Sequence, residues 1–417
     1  MSISIPCRGL RLQLIVVTGC LLALVALIAT SPSQLRYDEQ GNLGLAHLVA
    51  KNGWLHALLS PENISSAGPL YSAIHLTLSP ITHLQPPAIR WVNFCCFLCV
   101  VVLLATHKPT EPLGTRLLFG CTLLAVPFLW PAVGMALTEL PALVFFTGFV
   151  LLFLRLINSE LELSRKAFGL ALAAGFCLGT AILGRQTYLV VLPVLVMMIF
   201  WVRGKSPAVL VCIIVALAVC GWLFALWHGL VSPHIYRLTH SSHLSVRLTN
   251  VLLSLSYAAA ATLFLNPRWL AGQRPTVWII CTLSGFALAC IARNYEDPPA
   301  KSLLVHAFGM QLGLWIGFVL GCALAAIGAV WAWTTFKTFW RERRDPVQVF
   351  LLMSLGALVL APMKITWQFS SRYIVGALGV LYLIVDAPCQ SRRYWAARIV
   401  VGTLLGMAIL WSYYQQA

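Results

Sequence analysis

What this chain of 417 residues has least of is charge: 10% of its positions are Asp, Glu, Lys or Arg, whereas 60% are hydrophobic. Soluble proteins carry about 25% charged residues, so a chain this apolar over this length is excluded from that class and reads as a polytopic membrane protein. Carboxylates are the scarcest of all. There are twelve, and none lies near the middle of a long apolar run, although proton- and ion-coupled transporters usually need ionisable groups at mid-membrane depth. That absence argues against a transporter. The segment from Arg36 to Arg90 contains no cysteine, and nearly all of the thirteen in the chain, among them Cys95, Cys96, Cys99, Cys177, Cys212 and Cys290, fall inside or at the ends of apolar runs. A disulfide framework or a zinc site would need pairs in polar segments, so these thiols read as small packing residues. No two histidines show the HExxH spacing of a zinc hydrolase. Nor does a basic face with interleaved aromatics occur outside the apolar runs, so the net charge of +16 does not signal nucleic acid.

What the chain does have is one apolar run after another, over residues 12–30, 88–106, 113–130, 137–157, 167–183, 188–202, 208–227, 251–265, 277–292, 307–335, 347–362, 374–385 and 397–411. At 1.5 Å per residue, runs of this kind suit a hydrocarbon layer about 30 Å thick. The first lacks a convincing small-residue cleavage site and is read as a span rather than a signal peptide. Threading thirteen spans with the N-terminus inside puts eighteen Lys and Arg on the inner side and ten on the outer, as the positive-inside rule requires. The expected fold is therefore an all-α polytopic bundle of thirteen transmembrane helices, one domain over residues 1–417. Residues 31–87 form its first outer loop.

That loop is where chemistry is expected. Tyr37, Asp38 and Glu39 head a polar stretch that Gly68, Pro69, Leu70 and Tyr71 close. Within it Leu45, Leu48, Val49, Leu55 and Leu59 recur at helical spacing, with His47 and Lys51 on another face and Gly53 as an interruption. Too short and too polar to span, this pattern suits a helix lying in the interface plane. A second short helix is expected from Leu70, stopped at Pro80. Plainer roles exist for each candidate: Asp38 as the N-cap of the following helix, Glu139 as a helix-start residue before Pro141, and Arg185 as a snorkelling anchor. Asn63, Ile64 and Ser65 form a glycosylation sequon.

Tyr37–Asp38–Glu39 in the first outer loop, then Gly68–Pro69–Leu70–Tyr71, Ala136 through Pro141, Arg185–Gln186–Thr187, and a late Arg372–Tyr373 together resemble the GT-C superfamily of polyprenyl-phosphate-sugar-dependent glycosyltransferases. Within it the motifs are most similar to the dolichyl-phosphate-glucose α-1,2-glucosyltransferase family. The order Gly68–Pro69 is swapped relative to that family, and Gln40, Gly41 and Asn42 replace its usual histidine.

The resemblance implies a GT-C-like bundle with interfacial helices in the first outer loop. It implies transfer of a hexose, glucose in the family, from a polyprenyl phosphate carrier to a lipid-linked or cell-envelope glycan acceptor on the outer face. The alternatives weighed beside it are a lipid-linked glycan flippase and a glycan polymerase or ligase. Because the departing phosphate monoester is a stable anion, the site needs a base for the acceptor hydroxyl and cations for the phosphate rather than a strong general acid. Asp38 or Glu39 supplies the base in this reading. Arg185, Gln186, Arg372, Tyr71 and Glu139 bind donor phosphate or substrate, with Lys364 and Arg293 as further cations. Glu39 orients Asp38 or binds a metal in this reading, a divalent cation being the one cofactor left open. The partners expected are the lipid-linked donor, the glycan acceptor and membrane lipids. The donor's tail stays in the hydrocarbon, so an apolar groove is expected with Tyr71 and Trp367 near its polar mouth. The short loops favour a bacterial inner membrane with the site on its periplasmic face over the endoplasmic reticulum.

Overall fold

A computed structural model of the chain describes residues 7–36, 38–65, 67–107, 111–159, 164–233, 247–291, 301–364, 369–385 and 392–415. Every regular element among them is a helix. Contacts divide the chain into two compact units, one of Met1–His243 with Ala387–Ala417 and one of Leu244–Asp386.

The first unit begins with α1 (Cys7–Ala29), α2 (Glu39–Asn52), α3 (Trp54–Leu59), α4 (Leu70–Thr77), α5 (Ser79–Thr82) and α6 (Ala88–Ala105), and continues through α7 (Leu113–Gly120), α8 (Leu129–Gly134), α9 (Glu139–Asn158), α10 (Arg165–Gly184), α11 (Val191–Trp201) and α12 (Ser206–Trp227). The second unit holds α13 (Leu248–Leu265), α14 (Arg268–Ala271), α15 (Pro275–Ile291), α16 (Lys301–Phe308), α17 (Met310–Arg341), α18 (Pro346–Leu360) and α19 (Leu378–Val385). The chain then returns to the first unit as α20 (Arg392–Gln415).

Nine helices among the described residues are long and apolar enough to cross a membrane, and shorter apolar helices occupy Leu113–Ala125, Gln186–Trp201, Pro275–Ile291 and Ser371–Val385. Each expected run is thus helical, and the protein is an integral membrane protein. The run over residues 113–130 is not one helix. It breaks into α7, a 3-10 turn at Cys121–Ala125 and α8, because Pro127 has no N–H to donate and pushes Val126 into an extended conformation (φ −85°, ψ 106°). Helix α20 closes over the break. Gly402 and Gly406, one turn apart, lie so close to the Ala125 carbonyl and the Trp130 indole that a Cβ at either would overlap them. The indole N–H donates to the Leu124 carbonyl at 2.9 Å.

The ends of the first unit differ. At one, the guanidinium of Arg116 donates to the Ala105 carbonyl at 2.7 Å, and Lys205 Nζ donates to the carbonyls of Ile157 and Ser159. These cations meet the negative ends of α6 and α9. The other end carries the loop of residues 31–87. There α2 and α3 are separated by Gly53 at φ 76°, a conformation L side chains avoid. Leu45, Val49, Ala57 and Leu58 pack against Leu223 and Trp227 of α12, and the Trp227 indole donates to the Leu58 carbonyl at 3.1 Å. Leu55 and Leu59, expected on the same stripe, are exposed instead, because the kink at Gly53 turns α3 away from the register of α2. Pro80 does not end the second short helix cleanly. It sits in the first turn of a new one, α5, where its missing N–H costs nothing.

Candidate functional site

Glu39 is the first residue of α2 and is fully buried, as is Arg90 one turn into α6. A charge is taken out of water this completely only when it is paired and hydrogen-bonded. Here the pairing is a two-pronged fork: Arg90 Nε donates to Glu39 Oε1 at 2.9 Å and Nη2 to Oε2 at 2.7 Å. Two backbone amides complete the carboxylate, Ala136 N donating to Oε1 at 2.8 Å and Arg36 N to Oε2 at 2.8 Å. The acceptor directions of Glu39 are thereby filled by N–H donors. A divalent cation finds no lone pair on this carboxylate, and among the described residues no three His, Cys, Asp or Glu side chains gather as metal ligands.

Asp38 is its opposite. It stands at the N-cap position of α2 with helical dihedrals (φ −69°, ψ −6°), makes no side-chain cap bond, and is exposed. The capping reading therefore does not account for it. The adjacent pair is split by the helix entry, with Glu39 turned into the protein and Asp38 turned out.

The remaining segments singled out in the first half of the chain arrive at this same end. Ala136, through its amide, touches Glu39. Three residues on, Glu139 opens α9, where a carboxylate is favoured by the helix dipole, and accepts from Arg185 Nη2 at 2.9 Å. Arg185 is the C-cap of α10, extended at φ −145°, and 17% of its side chain is exposed. Arg185 is thus tied to Glu139 by an ion pair, which the plainer reading as a snorkelling anchor does not anticipate. Gly68 lies flush on the last turn of α10, where a Cβ would overlap the Leu183 carbonyl oxygen. Leu70 follows it down onto Gly184, and Tyr71, 1% exposed, packs with Leu43, Ala46, Leu84, Ile89 and Ala136. Burial first, then the charges of Glu39 and Glu139, hold the Tyr71 hydroxyl well above its ordinary pKa, so it is a permanent donor. That hydroxyl is buried without a hydrogen-bond partner, as is the Gln186 side-chain N–H2. Tyr71 is accordingly inside a packed cluster and not at the mouth of a groove. Its ring tilts over His75 at 4.3 Å; His75 is fully buried, neither ring nitrogen has a partner, and burial lowers its pKa to about 4.

Arg372 belongs to the second unit. It lies 6% exposed in a 3-10 turn over Ser371–Ala377, its Nε donating to Ser370 Oγ at 3.0 Å. Its expected convergence with Arg185 spans the two units. Tyr37, Arg293 and Trp367 lie outside the described residues, as does the side chain of Lys364. The Asn63 sequon is closed to modification in the folded chain, since Asn63 is 1% exposed and its Oδ1 accepts from Ser65 N at 3.2 Å.

Sequence reasoning missed Arg90 and Tyr414. By position in the thread Arg90 reads as one more of the ten outer-side cations. The available signal was its place one turn inside a long apolar run, where an unpaired guanidinium would be expensive. Tyr414, near the end of α20, donates its hydroxyl to the Gly134 carbonyl at 2.6 Å, and the Arg90 guanidinium carbon lies 5.0 Å from its ring centroid.

No protein-family model matches the chain, and no curated protein matches it. Among solved structures it is similar to ArnT from Cupriavidus metallidurans bound to undecaprenyl phosphate, with 13% identity and a TM-score of 0.46 over 96% of this chain and 77% of that one. The archaeal oligosaccharyltransferase AglB from Archaeoglobus fulgidus, in complex with an inhibitory peptide and a dolichol-phosphate, gives 13% identity and a TM-score of 0.48 over 97% of this chain and 56% of that one. At these identities and scores the likeness assigns neither family nor activity.

Proposed function

We propose that this protein is an integral membrane glycosyltransferase that moves a hexose from a polyprenyl phosphate carrier to a glycan acceptor at the outer membrane face, by a single inverting displacement. The observation that carries the reading is the gathering, at one end of the first unit, of segments that stand far apart in the chain: Asp38–Glu39, Gly68–Tyr71, Ala136–Glu139 and Arg185–Gln186. Of the two adjacent carboxylates only Asp38 faces outward, so Asp38 is the base and Glu39 a positioning residue. In the step, the Asp38 carboxylate takes the proton of the acceptor hydroxyl as that oxygen bonds to the anomeric carbon. The bond from that carbon to the phosphate oxygen breaks, and its electron pair leaves with the polyprenyl phosphate. Of the expected phosphate donors Arg185, 17% exposed beside Glu139, is the one within reach of an incoming phosphate, and a cation placed where charge develops lowers such a barrier.

The test is transfer by the purified protein in lipid nanodiscs, with a polyprenyl-phosphate hexose as donor and a glycolipid acceptor. Asp38→Asn is expected to abolish transfer while leaving donor binding nearly intact, and Glu39→Gln to be milder. Wild-type turnover in the Asn variant would overturn the base assignment. A folded wild-type protein that transfers no hexose from any polyprenyl monophosphate would remove this reading, leaving a flippase, which has no transfer step, or a glycan polymerase or ligase with a different donor.

A further inference from the structure

Arg90 spends every donor it has on one stretch of chain. Besides the fork to Glu39, its Nη1 donates to Ser31 Oγ at 2.7 Å and to the Pro32 carbonyl at 2.7 Å, and its Nη2 donates to the Gln34 carbonyl at 3.0 Å. Five N–H groups are the whole inventory of a guanidinium. All five reach residues 31–39, the segment that leaves α1 and delivers Asp38. Residues 31–36 belong to no helix, and buried backbone carbonyls must find donors somewhere. Arg90 is that donor set for Pro32 and Gln34, and through Glu39 it also fixes the amide of Arg36. Tyr414 then closes the far side of the guanidinium with its ring while its hydroxyl holds the Gly134 carbonyl, two residues before the Ala136 amide that binds Glu39.

We infer that Arg90 is a positioning residue whose planar donor fork sets where Asp38 stands, with Tyr414 of α20 as its second support. The inference rests on the proposed reading for what Asp38 does, but the positioning itself is a property of residues 31–39 and can be measured without turnover. Lysine should not substitute, because a single ammonium with three donors cannot span a carboxylate fork, a hydroxyl and two carbonyls.

The experiment is hydrogen–deuterium exchange of Arg90→Lys in nanodiscs, read on peptides covering residues 31–42, alongside thermal unfolding and, where transfer is measurable, kcat and donor KM. Amides in this segment are expected to exchange about tenfold faster in the variant, with α9 and α10 peptides unchanged. Turnover is expected to fall about 100-fold, since a displacement of the base on the order of 1 Å suffices for that, with donor KM nearly constant. Tyr414→Phe, which keeps the ring, should exchange nearly as wild type, and Tyr414→Leu should lie between wild type and Arg90→Lys. Unchanged protection of residues 31–42 in a folded Arg90→Lys protein overturns the inference. So does a loss spread evenly over the whole first unit. If Arg90→Lys does not fold, the Tyr414→Leu exchange pattern decides on the same criterion. Should wild type transfer no sugar at all, the exchange result still stands or fails by itself, and only the enzyme reading is lost.

Discussion

Replacing Gly68 with alanine tests whether the loop is seated on the bundle or merely near it. A Cβ at this position overlaps the Leu183 carbonyl oxygen and comes within 2.9 Å of the Leu183 carbonyl carbon and 3.3 Å of its Cα. All three are backbone atoms in the last turn of α10, so no side chain can swing aside. Nor can the turn retreat easily, because next to it a Cβ built on Gly184 would already stand 2.7 Å from Ala142 Cβ and 2.9 Å from Leu70 Cδ2. The loop has to lift instead, by about 1 Å to restore ordinary packing separations, which for one added methyl group in a close-packed region costs about 1–3 kcal/mol. Tyr71 and α4 lift with it, and a shift of that size near reacting groups lowers turnover by about 100-fold. Gly44→Ala is the matched control. It lies in α2, nothing stands within 4 Å of its Cβ position, and alanine there should stabilise by about 0.5–1 kcal/mol. Thermal unfolding of both variants, with hexose transfer measured on the same samples, gives the answer. A Gly68→Ala protein with wild-type melting and wild-type transfer would refute the seating argument.

Arg185→Ala removes the ion-pair partner of Glu139, whose carboxylate is 4% exposed. The expected destabilisation is about 2–3 kcal/mol, below the usual figure for a wholly buried pair because Arg185 keeps some contact with solvent. Arg185→Lys should lose less stability, and equal melting of all three proteins would dismiss the pair as a structural element. His75 predicts a pH dependence. Its pKa is lowered by burial from 6.5 to about 4, so between those values the unfolded chain binds more protons than the folded one, and stability rises with pH across that window. The contribution is fully present above pH 6.5 and lost as the pH falls through 4, up to roughly 3 kcal/mol. His75→Phe should flatten the melting midpoint between pH 4 and 7; a wild-type profile equally flat would mean the imidazole is not buried neutral.

The helices were legible because hydrocarbon leaves a chain no choice: backbone polar groups must be satisfied within the segment, so an apolar run long enough to span is a helix. Where that argument weakened, at residues 113–130, the reason is visible in the chain. Pro127 interrupts the hydrogen-bond ladder, yet its neighbours are as apolar as any span, so hydropathy alone does not separate a broken, protein-buried segment from a continuous one. Leu123, Leu124, Ala125, Leu129 and Trp130 are essentially inaccessible because α20 covers them. A return of the chain from more than 250 residues away has no local signature.

The site divides along the same line. Asp38 and Glu39 are neighbours of similar chemistry, and at a helix entry successive side chains point about 100° apart, far enough for one to face the protein while the other faces outward. Sequence supplies the pair but not its sense, because the sense depends on a cation 51 residues further on. Arg90 in turn looks like a topological charge until its five donors are traced. Composition can say that a buried carboxylate needs a guanidinium, yet ten Lys and Arg stand on that side of the thread, and only the packing of α6 against the exit of α1 selects Arg90 among them. The proposed choice of base follows from that selection, because Glu39 is held by four N–H donors. Asp38 is the exposed member of the pair, and the proposed base role is assigned to it on that ground.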